Sequence, residues 1–308
     1  MNRVPTMILS AGLATRLRPL SSWRAKALVP IGDRPALALM LDQVRAAGGS
    51  PIVINAHHRA GDLRAFAASE APDLAVSEER ELLGTAGGVR HAEAALGAGD
   101  VLVWTGDIVL VTAPTLDLAA LLLDHFAAVG GARDATLVVR PGPCGTGNVG
   151  TDGDGRIVRL RTESVRSGET RGGEFIPIHV VGSAARAALP ALGCLVGDVY
   201  LPLLRRGVTL RAFFADVPWH DIGTVMAYRD ANLAWLSARN EPFFCAPDAH
   251  VAGGVSLTAS VVGAGATVDG GGALERCVVW PGATAHAPLA DAVVTPHGTA
   301  YLTPRSGE

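Results

Sequence analysis

Short apolar runs alternate with longer segments of helical periodicity along the first two thirds of the chain. Met7-Ile8-Leu9 has the length of a buried strand and runs into a loop of small residues, Ser10 to Thr15. Arg34 to Ala47 puts Leu37, Met40, Leu41 and Val44 at helical spacing. Ile52 to Ile54 predicts a strand, Gly61 to Ser69 a helix, and Ala75 to Ser77 a weak strand. A second small-residue loop, Glu81 to Val89, opens a helix through Ala95. Val101 to Trp104 predicts a strand with Thr105-Gly106-Asp107 at its carboxyl end; a helix over Thr115 to Ala128 and a strand over Ala135 to Arg140 follow. Strands alternating with helices predict an α/β fold with a mostly parallel sheet covered on both faces. Ligands bind such sheets at the carboxyl ends of the strands, where both loops and Asp107 fall.

The middle of the chain is less regular. Asp152 to Gly155 reads as a hairpin turn, Ile176 to Val181 as a strand, Asp198 to Leu204 as helical, Leu210 to Ala215 as a strand and Val225 to Ala238 as a helix. From about Glu241 charge falls while glycine, alanine and valine rise. VVGAGATV at 261–268, VVWPGATA at 278–285 and VVTPHGTA at 293–300 repeat one pattern, which predicts coils of a short left-handed parallel β-helix. Valines 261, 262, 278, 279, 293 and 294 belong inside it. The expected division is therefore 1–240 and 241–308. Each coil buries its valines only against its neighbours, so a short stack needs its ends covered, by the first domain or by another copy of the chain. A homo-oligomer through the tail is the expectation.

Composition narrows the class. Of 308 residues, 49% are apolar, enough for a sizeable core, and a net charge of −3 implies no long basic surface for nucleic acid. Cys144, Cys194, Cys245 and Cys277 lack C-x-x-C spacing, which argues against zinc or disulfides and fits a reducing, cytoplasmic setting. No start resembling a signal peptide is evident. No apolar run reaches the roughly 18 residues of a membrane span, so no membrane association is expected.

The candidate chemistry lies in Met7 to Pro30. A strand ending in a loop with little side-chain bulk lets backbone N–H groups approach a phosphate or a base. Arg16 and Arg18 follow, and Lys26 comes ten residues after Arg16; such cations neutralise phosphate charge. The stretch resembles the signature of the sugar-1-phosphate nucleotidylyltransferases: an apolar strand, A-G-x-G-T-R-[LM]-x-P-L, then about ten residues on P-K-x-L-[VL]-P. Ala14 stands where that family has glycine and Ala25 where it has proline; a backbone angle that needs glycine would be strained at Ala14. Trp219 to Thr224, WHDIGT, is similar to the family's W-x-D-I-G-T segment. The resemblance implies a Rossmann-like mixed sheet with a β-helix tail used for assembly.

It also implies a reaction, transfer of a nucleoside monophosphate from an NTP to a sugar 1-phosphate with release of pyrophosphate. The attacking phosphate oxygen is already anionic, so the task is to align two polyanions and offset their repulsion. By resemblance Arg16 and Lys26 are catalytic, Arg16 on the triphosphate and Lys26 bridging nucleotide and sugar phosphates. Leu9, Ala11, Gly12, Leu13, Ala14 and Thr15, with Leu83, Gly84, Thr85, Gly87 and Asp107, bind the nucleotide. Asp107 and Asp221 hold Mg2+, with phosphate oxygens and water completing its shell. Gly223 and Thr224 are better placed than Asp221 to cap the following helix. Asn148 and Glu174 are the candidates for sugar hydroxyls. The sugar side departs from the family: Leu160 to Ser164 replaces E-K-P, no lysine follows Lys26, and Pro177 replaces a glycine. Arg161 or Arg171 is the candidate substitute for the missing lysine. His57, His58, His179 and His220 read as loop or packing residues, and Trp104 and Trp219 as walls of the site. The G-T-A-G form of the second loop is similar to guanylyl and uridylyl enzymes, so GTP or UTP is favoured. Mannose-1-phosphate guanylyl transfer is the first expectation. Uridylyl transfer to another hexose, heptose or amino-sugar phosphate is the alternative. A catalytically silent regulatory subunit would lack one of Arg16, Lys26, Asp107 or Asp221.

Overall fold

A computed structural model describes residues 3–127 and 134–302. It divides into two compact units between which the backbone passes repeatedly. One comprises Met1–Leu13, Leu41–Ile108 and Leu116–Val217, the other Ala14–Met40, Val109–Thr115 and Pro218–Glu308.

The first unit is built on one mixed sheet. Its strands are β1 (Val4–Leu9), β2 (Gly49–Ala56), β3 (Leu74–Glu78), β4 (Val101–Thr105), β5 (Ala135–Gly142), β6 (Val149–Thr151), β7 (Ile157–Leu160), β8 (Glu163–Ser164), β9 (Arg171–Val181) and β10 (Leu210–Phe214). The order is β8-β7-β6-β9-β4-β1-β2-β3, with β5 pairing β9 and β10 pairing β5. β1 lies parallel to β2 and β4, and β2 to β3, so four carboxyl ends share one edge. β9 reverses direction and pairs antiparallel with β4, β5 and β6. Met7, Val53, Val101 and Val103 are fully buried and pack with Ala86 and Val89, as near-continuous apolar strands covered by helices require.

Helices α1 (Ala36–Ala46), α2 (Ala60–Glu70), α3 (Gly84–His91) and α4 (Leu118–Phe126) follow the predicted segments with shifted ends. α1 starts late because Arg34–Pro35 pairs with Pro30–Ile31 in a short hairpin. α4 starts at Leu118 because Asp117 caps it, accepting from the Ala120 N–H at 2.9 Å; the predicted end at Ala128 lies outside the described residues. The helix expected to reach Ala95 breaks at Ala92 and resumes over Glu93–Leu96. Helical structure starts at Leu195, before the expected Asp198, and runs to Arg205. β9 is much longer than Ile176 to Val181, because Gly172 and Gly173 conceal its first half from any apolar pattern. Pro177 lies where the ladder to β5 shifts register between Phe175 and His179, a place for a residue with no N–H to donate.

In the second unit Ala14–Met40 forms short helical turns, Thr15–Leu17, Leu20–Trp23 and Lys26–Leu28, before the hairpin. Helix α5 (Val225–Ala238) keeps its predicted bounds. The tail is a parallel β-helix: Phe244, Val261, Val278 and Val293 stack in register. All six predicted valines are at most 2% exposed. Gly298–Tyr301 folds back antiparallel on Ala292–Thr295, so the chain covers one edge of its own stack. At the other end Phe244 meets the ring of Trp235 edge-on at 5.4 Å. Among the described residues no helix is long and apolar enough to cross a membrane.

The fully buried His179 on β9 tests the core of the first unit. Its Nδ1 and the Tyr200 hydroxyl share a hydrogen bond of 2.6 Å. Burial pushes the imidazole down to about 3 and the phenol well up, so the pair is neutral. Unfolded histidine takes its proton near pH ~6.5, so between there and about pH 3 the unfolded state binds more protons and stability falls as pH drops. His179→Gln removes that titration: its urea midpoint should change less between pH 7 and pH 4 than the wild-type midpoint. Equal pH slopes in the two proteins would refute this account.

Candidate functional site

In the first unit the loop after β1 is held by a buried polar pair. Asn55, the penultimate residue of β2, accepts at Oδ1 from the N–H groups of Ser10 (2.6 Å) and Ala11 (3.2 Å). Its Nδ2 donates to Glu79 Oε1 at 2.6 Å, and Glu79 Oε2 accepts from the Leu83 N–H at 3.1 Å. The two side chains are 3% and 5% exposed. The two small-residue loops are thus tied to each other through Asn55 and Glu79, which the sequence reading missed. The available signal was position, since each lies where a parallel strand ends. Gly88 lies against the pair: a Cβ there would come within 2.6 Å of Asn55 Nδ2 and 2.8 Å of Glu79 Oε1.

The second loop is stitched down from its other side. Gly193 donates to Leu83 O at 2.9 Å and accepts from the Ala86 N–H at 2.9 Å, and Leu195 N–H donates to Thr85 Oγ1 at 2.8 Å. Gly84, with φ of +73°, lies so close to the Gly193 carbonyl that any side chain would collide with it. Gly87 is similarly confined, by the Ala191 carbonyl. Leu13 and Leu82, one on each loop, are 42% and 40% exposed and offer apolar surface. Asp107 follows Gly106, whose N–H donates to Leu9 O at 2.8 Å, so Leu9, Ala11, Leu83 and Asp107 belong to one bonded edge. Trp104 is wholly buried rather than a wall of the site; its Nε1–H holds the turn around Asp107 through Ile108 O at 2.8 Å.

On the sugar side, Asn148 Oδ1 accepts from the Phe175 N–H at 2.7 Å, and Glu174 pairs with Arg140 at 2.9 Å. Both candidates thus have protein partners, Asn148 with its amide nitrogen left over. Arg161, at φ of +58°, places Nη2 3.4 Å from Cys194 Sγ, beside the Leu195 that Thr85 holds. Arg171 stacks its guanidinium over Phe214.

In the second unit Ala14 adopts the left-handed conformation, φ 47° and ψ 41°, that the family's glycine favours. Its carbonyl accepts from the Leu17 N–H (3.0 Å) and the Ser21 hydroxyl (2.7 Å), which hold the turn that carries Thr15 and the exposed Arg16. Lys26 Nζ lies 3.9 Å from Asp221 Oδ1. Gly223 lets charge gather there, since a Cβ would come within 2.7 Å of Asp221 Oδ1 and 3.1 Å of Arg16 Nη2. Arg16, Lys26 and Asp221 are therefore brought together. Thr224 caps α5 through the Ala227 N–H at 3.1 Å, which leaves Asp221 out of the cap as expected. Trp219 is only half-buried. His220 Nε2 is buried without a hydrogen-bond partner, and burial lowers the imidazole's pKa, which favours the neutral form.

Among the described residues no group of three or more His, Cys, Asp or Glu side chains gathers to hold a metal. Isolated carboxylates suit an ion that takes most of its shell from phosphate and water, as magnesium does.

A profile of the MobA-like NTP transferase domain matches residues 6–206. The chain belongs to the MobA-like NTP transferase domain family. It is 42% identical over 111 residues, 33% of this chain and 46% of the relative, to an N-acetylmuramate alpha-1-phosphate uridylyltransferase of Caulobacter vibrioides. It is 33% identical over 175 residues, 56% of this chain and 35% of the relative, to the bifunctional protein GlmU of Geobacter metallireducens. The chain thus spans less than half the length of these curated relatives. HddC of Yersinia pseudotuberculosis has the same fold, at TM-score 0.59 and 20% identity over 74% of this chain and 98% of that one. A putative glucose-1-phosphate thymidylyltransferase of Bacillus anthracis superposes at TM-score 0.60 and 19% identity, over 75% and 95% of the two chains.

For this member of the MobA-like family, Asn55→Ala should free the Ser10 and Ala11 N–H groups and strand the Glu79 carboxyl in the interior. The expected cost is about 2–4 kcal/mol of stability, with weaker nucleotide binding by the protein that remains folded. Calorimetric titration with a nucleoside triphosphate beside a urea curve checks both; unchanged affinity in the folded variant would detach the pair from the loops' function.

Proposed function

We propose that the chain is a magnesium-dependent sugar-1-phosphate nucleotidylyltransferase, and that it transfers uridylyl rather than guanylyl groups. The observation carrying the base is the 42% identity with the uridylyltransferase, which favours UTP where the second loop fits GTP and UTP alike. An amino-sugar 1-phosphate is the acceptor class in keeping with that relative. The observation carrying the chemistry is the gathering of Arg16, the chain's one lysine and Asp221.

The sugar phosphate oxygen attacks the α-phosphorus, and pyrophosphate leaves. The loops at Ala11–Gly12 and Leu83–Gly87 receive the base and ribose. Arg16 offsets triphosphate charge, and Lys26 bridges the two phosphates that react. Asp107 and Asp221 are the residues that would hold magnesium, which when bound would supply fixed positive charge for the transfer. The side chains hold and align two anions; neither His57 nor His220 is needed to move a proton. The sugar lies toward Asn148, Glu174 and Arg161. Assembly through the tail and a cytoplasmic setting belong to the same proposal.

Asp107→Asn and Asp221→Asn should each keep the fold and lower magnesium-dependent turnover at least ~100-fold. Pyrophosphate release across UTP, GTP, dTTP, CTP and ATP with a panel of sugar phosphates tests both the reaction and the base. Near-normal rates in both Asn variants would sink the metal assignment, and preference for GTP would restore the guanylyl reading. Lys26→Met should lower turnover far more than melting temperature; a large loss of melting temperature with full activity per folded molecule would make Lys26 structural.

A further inference from the structure

The β-helix reaches back to the segment that carries Lys26. We propose that Trp280 is a positioning residue for Lys26, clamping the backbone on both sides of it. The inference deepens the functional reading above and rests on it for the role of Lys26.

On the carboxyl side the clamp is a buried polar chain. Trp280 follows Val278-Val279 in the coil and is 2% exposed. Its Nε1–H donates to Tyr228 Oη at 3.0 Å, and the Tyr228 hydroxyl donates to the Pro30 carbonyl at 2.6 Å. Tyr228 has one proton to give, and it goes to Pro30, so the phenol oxygen is left to accept from the indole. Asn232, one turn along α5, accepts from the Gly32 N–H at 2.8 Å and donates to the Tyr228 carbonyl at 3.1 Å. On the amino side the same indole lies under Arg24, whose guanidinium is 5.1 Å from the ring centroid, while Trp23 meets His297 at 5.6 Å. The turn Lys26–Leu28 lies between these two attachments. α5 is itself tied to the coils by the Arg229–Asp291 ion pair at 2.5 Å, and Asp221 precedes that helix by a few residues.

A tail serving assembly alone would need only apolar packing here. Burying an indole N–H, a phenol and an amide is unfavourable unless every group is paired, and such chains then fix one geometry. What this one fixes is the backbone around the chain's single lysine.

That lysine also makes the test clean. Reductive methylation with carbon-13 formaldehyde labels Lys26 and, besides it, only the N-terminal amine. The full-length chain is compared with Trp280→Phe, which keeps a ring under Arg24 and removes the N–H, and with Tyr228→Phe, which removes the hydroxyl. Val262→Ala, a change deep in the coil, controls for lost stability. The expected result is that the Lys26 methyl resonance moves in both Phe variants and kcat falls about tenfold or more, with KM for the nucleotide little changed. Val262→Ala should lower the melting temperature and leave resonance and kcat alone. Three results would overturn the proposal: a wild-type resonance and kcat in both Phe variants, a resonance that moves without any change in kcat, or equal effects from Val262→Ala. A wild-type chain without nucleotidyl transfer would instead defeat the functional reading, and the resonance would still decide whether Trp280 positions Lys26.

Discussion

Four parallel strands end along one edge of the first unit, and beyond their last residues the backbone has no ladder to complete. Asn55 and Glu79 take over there. Between them they satisfy the N–H groups of Ser10, Ala11 and Leu83, and each also satisfies the other. A buried carboxyl and amide are unfavourable singly and acceptable as a bonded pair, so neither loop can move without leaving a group unpaired. Two loops some seventy residues apart in sequence therefore behave as one rigid edge. The small residues follow from this: Gly88 must leave room for the pair, and Gly84 for the Gly193 carbonyl.

Where a feature depends on local backbone chemistry, the sequence discloses it. Ala14 in a glycine position does occupy the left-handed region, Thr224 does cap α5, and the valine pairs do line the coils. Features that depend on long-range partners are not disclosed. Asn55 and Glu79 are single polar residues at strand ends, and nothing nearby in sequence says that they meet. Trp104 beside an aspartate suggests a wall; only the register of β4 with β1 and β9 shows it buried beneath the turn. The first half of β9 carries Gly172 and Gly173, so its pairing, not its composition, makes it a strand. Pro177 looks like a defect in a strand until the register shift beside it is seen.

The basic residues divide their labour. All but one are arginines, and many of these form forked pairs with carboxylates, as Arg205 does with Glu163 and Arg276 with Asp291. A planar guanidinium suits a partner whose geometry is fixed. Their arginine sides reach solvent, which screens the attraction, so such pairs add little to stability. A phosphate in transfer is not a fixed partner, because its distance to the leaving oxygens changes along the reaction. A compact ammonium on a flexible stem can follow that change, so the role proposed for Lys26 suits a lysine in a chain that otherwise uses arginine.

The flexible stem, however, makes the backbone beneath it matter more. Lys26 is only 14% exposed and lies 3.9 Å from Asp221, a separation set by two stretches far apart in the sequence. The turn Lys26–Leu28 and the residues His220–Asp221 are both short elements, so contacts from elsewhere in the unit add to what holds that separation. α5 and the coils supply such contacts to the lysine segment through Tyr228, Asn232 and Trp280. The closing strand Gly298–Tyr301 meanwhile meets from within the chain part of the demand that a short stack be covered. On the second face of the stack Pro288 removes a donor from the outer strand Thr284–Ala290, which blunts pairing along that edge. The coils thus carry a folded-back strand on one edge and specific polar contacts toward the lysine segment, as a scaffold for the turn that carries Lys26 requires.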